Sequence, residues 1–136
     1  MTAPEVRRFS SGSAFEQLIG YSRAVRIGPL AFVAGTTAAG PSGPVGGDDA
    51  AEQMREALRR IEAALREVGA ELTDVVRTRI FLTDMAALEA VGQVHGEIFG
   101  SFAPVTTIVQ SPNLARPDLL VEVEADAVMA GALAAG

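Results

Sequence analysis

The sequence predicts an α+β fold: a single mixed β-sheet with two helices on one face. Three observations predict it. β-prone and amphipathic runs follow one another in the order strands, helix, strand, helix, strands. Each helical run carries one apolar stripe, so both cover the same side of a sheet. The chain has 136 residues, 49% of them hydrophobic and only 5% aromatic, which suits one domain with a buried core. The domain is expected to span residues 1–136, with loose ends at 1–10 and 130–136.

The elements follow in order. "SRAVRI" (22–27) and "LAFVA" (30–34) are short β-prone runs separated by "GP", the pattern of a hairpin. "GTTAAGPSGPVGGDD" (35–49) is rich in Gly and Pro and reads as a loop. In residues 49–68, Met54, Ala57, Leu58, Ile61, Ala64, Leu65 and Val68 recur at steps of three and four, the period of a helix. Asp49 and Glu52 have the spacing of a capping box, and Gly69 is placed to end the helix. The opposite face carries Glu52, Arg55, Glu56, Arg59, Arg60, Glu62, Arg66 and Glu67, read as a solvated surface of i,i+4 ion pairs.

"DVVRTRIFLTDM" (74–85) reads as a strand, with Val76, Thr78, Ile80 and Leu82 on one face and Val75, Arg77, Arg79 and Phe81 on the other. A second helix follows Asp84, with Met85, Leu88, Val91, His95 and Phe99 near helical spacing. Then come "PVTTIVQ" (104–110), a turn-rich "SPNLARPD", and "DLLVEVEADAVMA" (118–130). In that last strand Val121, Val123, Ala125 and Ala127 share one face and Glu122, Glu124 and Asp126 the other. The uncovered sheet face is expected to carry Arg79, Thr106 and the acids among apolar residues. A half-apolar open face implies a partner, most simply copies of the same chain.

Composition excludes several chemistries. There is no Cys, hence no thiolate nucleophile or Cys-bound zinc. All 11 basic residues are Arg, which removes Schiff-base and P-loop lysines, and a single His cannot build a multi-histidine metal site. Neither GxGxxG nor GxSxG occurs. Carboxylate, hydroxyl, guanidinium and backbone remain. A net charge of −6 gives no electrostatic reason to bind nucleic acid. The apolar runs are too short to span a membrane and "MTAPEVRRFSS" lacks a signal-peptide core, so the cytoplasm is the expected compartment.

Four segments together resemble the RidA family, also called YjgF/YER057c/UK114: "GYSRAVRIGPLAFVAG", "VVRTRIFLTDM", "VHGEIFG" with "FAPVTT", and "LLVEVEADAV", spanning residues 20–129. The resemblance implies a chorismate-mutase-like fold and a homotrimer with a cleft at each subunit interface. It also implies hydrolysis of imines or enamines to release ammonia, a small-molecule substrate, and no metal or organic cofactor. By this resemblance Glu122 matches the acid that positions the attacking water, and Tyr21 and Gly35 match ligand-facing positions. Thr106 stands where the family's substrate-clamping Arg is expected, two residues after Pro104, and Gly92 where an Asn is common. A guanidinium–carboxylate clamp is charge-assisted and bidentate, worth about 1.5–3 kcal/mol per bond, whereas Thr106 offers a single neutral hydroxyl.

The sequence therefore predicts Glu122 as the catalytic group, with Tyr21, Gly35, Thr106 and Arg79 at the substrate. Arg79 is either a substitute for the missing clamp or an interface partner of the acidic strand. Glu124 and Asp126 read as interface or rim residues. His95, on the apolar stripe of a helix, reads as a packed core histidine. Without the clamp, the expected substrate is an imine, enamine or related enolisable molecule that is neutral or carries its anion elsewhere, not a standard 2-imino acid. Beside this reading stand a strict 2-iminobutanoate/2-iminopropanoate deaminase with its Arg supplied elsewhere, a ligand-binding trimer without turnover, and an RNA-cleaving protein, the last opposed by the charge.

Overall fold

The structure, a computed structural model, describes residues 2–134. Its six strands form one sheet in the order β1-β2-β3-β6-β4-β5. They are β1 (Val6–Phe9), β2 (Ala24–Ile27), β3 (Leu30–Thr36), β4 (Val75–Leu82), β5 (Val105–Gln110) and β6 (Val121–Val128). Every neighbouring pair is antiparallel except β4–β5, which is parallel and joined by a helical crossover. The helices are α1 (Ala14–Ile19), α2 (Ala50–Glu67), α3 (Leu88–Phe99) and α4 (Ala130–Ala134).

α2 has the stripe its sequence predicts. Met54, Ala57, Leu58, Ile61, Ala64 and Leu65 are buried in one cluster with Val33 of β3 and with Val121, Val123, Ala125 and Ala127 of β6. Truncating a residue such as Leu58 to Ala costs about 2–5 kcal/mol. Asp49 caps the helix by accepting from the N–H groups of Ala51 (3.0 Å) and Glu52 (3.3 Å). Glu52 turns instead to Arg55, so the reciprocal arm of the expected box is not made. Gly69, at φ 85°, follows the helix and lets Ala70 N–H return to Leu65 O.

Gln53 is fully buried within this stripe. It donates to Gly47 O (2.7 Å) and Asp118 O (3.0 Å) and accepts from Leu120 N–H (2.9 Å). One side chain thereby ties the start of α2 to the loop before it and to the entry of β6.

The structure corrects several sequence expectations. Within residues 1–10, expected to be loose, Val6–Phe9 form β1, an edge strand paired with β2. Its charged "VRRF" lacks apolar alternation because its side chains are mostly exposed. α1 lies where the sequence predicts no element. In β4 a register shift between Val75 and Arg77 breaks the two-residue period, so Val75 joins Thr78, Ile80 and Leu82 on the core face and Val76 turns outward. Thr106 pairs in register with Thr78 and bonds to it on the helix-covered side, not on the open face. At the C-terminus, Ala130–Ala134 are a short helix in place of the expected loose tail; residues 135–136 lie outside the described residues.

Candidate active site

A cavity of about 640 Å³ lies where β3 leaves the sheet, bordered by α1, α2 and the segment entering β6. Its position follows from a bulge. Val33 pairs with Ala125 but Thr36 pairs with Val123, so one extra residue is inserted and the strand bends away at Ala34–Gly35.

Arg23 organises this bend. Its Nη1 donates to Gly35 O (2.6 Å) and Thr36 Oγ1 (3.0 Å), and its Nη2 donates to the Tyr21 hydroxyl (3.1 Å). Its Nε faces Glu16 at 3.4 Å, with both side chains largely buried (13% and 2% exposed). A planar guanidinium with five donors suits this role, because the bulge leaves carbonyls that no neighbouring strand satisfies.

Glu16 is delivered by α1, a six-residue helix capped by Ser13 and ended by Gly20 at φ 87°. Its carboxylate accepts from Ser10 Oγ (2.9 Å), from Ser11 N–H (3.0 Å) and from the Ser11 hydroxyl. Burial alone pushes its pKa up. The hydrogen bonds from Ser11 and Ser10, with the charge of Arg23, outweigh burial and hold it below the ordinary carboxylate value.

Glu122 is in the opposite situation. It lines the cavity and is partly buried, and burial pushes its pKa up; the Arg23 charge opposes this and Glu124 adds to it. Among the described residues no hydrogen bond to its carboxylate offsets the burial. Gly35 lies directly beneath it. A Cβ at position 35 would fall 2.0 Å from Glu122 Oε2 and 3.0 Å from its carboxyl carbon. The glycine is required here for space, since its backbone is not in the left-handed region.

Three sequence-predicted residues thus converge on the cavity: Tyr21, Gly35 and Glu122. Two do not. Arg79, expected at the substrate or paired across an interface, pairs within its own chain with Glu124 (3.0 Å) and Asp126 (3.4 Å) on the open sheet face. Thr106 lies outside the cavity on edge strand β5. There Thr78 Oγ1 is 2.8 Å from both Thr106 Oγ1 and His95 Nε2, and Thr106 Oγ1 is 3.4 Å from His95 Nε2. His95 packs its ring 4.7 Å from that of Phe99, and burial pushes its pKa down, which keeps the imidazole neutral near neutral pH.

Sequence reasoning missed Arg23 and Glu16; Arg59 and Arg60 form the helix-face ion pairs it expected, both with Glu56, and in addition border the cavity. Glu16 carried a usable signal: Ser13-x-x-Glu16 followed by Gly20 is a short capped helix in outline. Arg23 carried none, because its partners, the Gly35 carbonyl with Glu16, Tyr21 and Thr36, gather around it only once the β3 bulge and α1 have formed.

The family model described as Endoribonuclease L-PSP matches residues 11–129. The crystal structure of Rv2704 from Mycobacterium tuberculosis, described as a member of the YjgF/YER057c/UK114 family, is similar at 55% identity and a TM-score of 0.84, covering 91% of this chain and 99% of that one. The uncharacterized protein SCO2049 of Streptomyces coelicolor is 39% identical over 93% of this chain and 95% of its own length. Human 2-iminobutanoate/2-iminopropanoate deaminase is 28% identical over 90% of each chain. A family match over nearly the whole chain, a fold shared with that structure, and the acid, tyrosine and glycine gathered at one cavity lead to one conclusion: the chain belongs to the RidA, or YjgF/YER057c/UK114, family.

Proposed function

We propose that this protein is a cofactor-free enzyme that hydrolyses an imine or enamine in the cavity beside Glu122. The observation that carries this reading is a carboxyl group, unbonded among the described residues and raised in pKa by burial, kept open to the cavity by Gly35. A carboxyl group raised above its ordinary value is moved toward the range that general acid–base work needs. As water adds to the iminium carbon, Glu122 takes a proton from it. The carbinolamine then collapses to a carbonyl, and the proton passes to the departing ammonia. Water and iminium become a ketone or oxo acid and ammonium, with no oxidant required. Tyr21, its hydroxyl fixed by Arg23, lines the same cavity as a binding residue.

The activity for which the human relative is named makes 2-iminobutanoate the first substrate to test. Purified protein is added to imine generated by a second enzyme, and ammonia release is followed. Acceleration that is lost in Glu122→Gln supports the reading; equal rates with and without protein defeat it. Ligand binding by Glu122→Gln with no turnover by the native protein favours a non-catalytic binding protein instead. The ribonuclease named in the family description is opposed by the net charge of −6, and salt-sensitive RNA binding would restore it.

Assembly belongs to the same proposal. Leu30, Phe32, Val105 and Val109 are exposed, and the open face of the sheet also carries the Arg79–Glu124–Asp126 cluster, a surface suited to copies of itself and to the homotrimer of the family resemblance. Thr106 lies on exposed strand β5, so it contributes to catalysis only by reaching the cavity of a second copy. Light scattering at several concentrations reports the oligomeric state; a monomer throughout removes Thr106 from the site.

A further inference from the structure

Arginines are concentrated at the cavity, while their acidic partners Glu16, Glu56 and Asp118 stand outside its lining. In a protein of net charge −6, four of the 11 arginines line it (Arg23, Arg59, Arg60 and Arg116) against one acid, Glu122. These guanidinium groups are not equivalent. Arg23 is committed to Glu16, Tyr21 and the β3 bulge. Arg59 is mostly exposed and turns both Nε and Nη2 to Glu56.

Arg60 and Arg116 stand between these extremes, 31% and 37% exposed. Arg60 bonds Glu56 through Nε (2.7 Å) and Thr37 O through Nη1 (2.9 Å). Arg116 bonds Gly40 O through Nη1 (2.9 Å) and Asp118 through Nη2 (2.9 Å). Among the described residues this leaves Arg60 Nη2 and Arg116 Nε without a protein partner. The two arginines hold the 37–40 loop from two points, so both are positioned without a ligand. Glu56 is shared between Arg59 and Arg60, so this wall has one more positive group than negative.

Phe9, Phe15, Ile19, Ala63, Ala64 and Leu119 give the wall a large apolar area, interrupted by the hydroxyls of Ser11, Ser13, Tyr21, Thr36 and Thr37. A volume of about 640 Å³ is far more than a three-carbon acid fills and lies within the range of about 300–1,000 Å³ typical of small-ligand pockets.

We propose that Arg60 and Arg116 are the anion-recognising residues of this cavity, and that its ligand is a carboxylate bearing a bulky apolar group, such as an imino or oxo acid with a branched or aromatic side chain. The guanidinium missing at position 106 is then supplied from α2 and from the segment before β6. This rests on the reading that the cavity beside Glu122 is the working site.

The test is isothermal titration calorimetry on the full chain with three probes: 4-methyl-2-oxopentanoate, its methyl ester, and pyruvate. The native protein is expected to bind the branched acid about tenfold or more tighter than either of the others. Arg60→Gln and Arg116→Gln are each expected to lose about tenfold or more on the acid while leaving the ester unchanged, the loss of one charge-assisted bond. Asp118→Ala, which frees Arg116 Nη2 and removes the competing negative charge, is expected to tighten the acid, and this gain cannot arise from misfolding. Equal binding of acid and ester overturns the proposal, as does unchanged affinity in both Arg variants, or no binding of any probe. The two readings fail separately. Arg-dependent binding of the acid without imine turnover defeats only the catalytic reading. Turnover of the branched imino acid that is unaffected in both Arg variants defeats only this one.

Discussion

Arg23 lies between two carboxylates that the fold treats in opposite ways. Glu16, on α1, is buried and filled with hydrogen bonds, and its pKa is held down. Glu122, on β6, is partly buried without such bonds, and its pKa is pushed up. The same guanidinium acts on both, so its charge is not what separates them. Hydrogen bonding is: the bonded acid holds structure, and the unbonded one is left available for proton transfer.

The largest effect should come from removing the available acid. Glu122→Gln is expected to lower imine hydrolysis by about 10²–10⁴-fold, the usual contribution of a positioned acid or base. Steady-state ammonia release measures it, and a loss below tenfold would make the two carboxylates equivalent bystanders. Gly35→Ala comes next. Its methyl group displaces the end of a flexible side chain, so the fold should survive while activity falls about 10²-fold, as small misplacements of catalytic groups do. An unchanged melting temperature with lost activity is the expected pair of results.

Glu16→Ala tests the structural partner. Breaking a buried, hydrogen-bonded ion pair costs about 3–5 kcal/mol, visible in urea denaturation. A loss near zero would mean that the Ser10, Ser11 and Arg23 contacts do not hold the bend.

Acidity sharpens the contrast further. Glu122 has a raised folded pKa, so it favours the fold below the unfolded carboxylate value and opposes it as pH rises through the folded pKa. Glu16 has a lowered one, so its stabilisation is present above the unfolded value and is lost as pH falls through the folded pKa. Glu122→Gln should therefore stabilise the protein at about pH 8 and lose that advantage toward about pH 4, whereas Glu16→Gln should destabilise most at about pH 8. Denaturation curves at both values distinguish them by sign.

The smallest effect belongs to the second polar cluster. Thr106→Val removes one hydroxyl from the Thr78–His95 group and should cost about 1 kcal/mol, leaving single-chain ligand binding unchanged.

Regular stretches were legible in the sequence and irregular ones were not. The alternation of Val121 to Ala127 and the stripe of α2 repeat over enough residues to fix a face. That alternation was sufficient to put Glu122 opposite the core residues. Parity failed at Val75, where a bulge resets the count, and at Thr106, whose short strand, VTTIVQ, has no apolar alternation to orient it. Arg23, Arg60 and Arg116 were illegible for another reason: each is defined by backbone carbonyls (Gly35, Thr37 and Gly40) that come near only after folding.

The contact between Gly35 and Glu122 also bears on how this sequence can change. Any side chain at position 35 forces the acid at 122 to move, and once the acid is shortened the same side chain finds room. The two positions should show strong epistasis: Gly35→Ala, harmful beside the native Glu122, becomes nearly silent in the Glu122→Ala background of a double-mutant cycle. A lineage that abandons the acid is then free to lose the glycine, but one that keeps the acid is not.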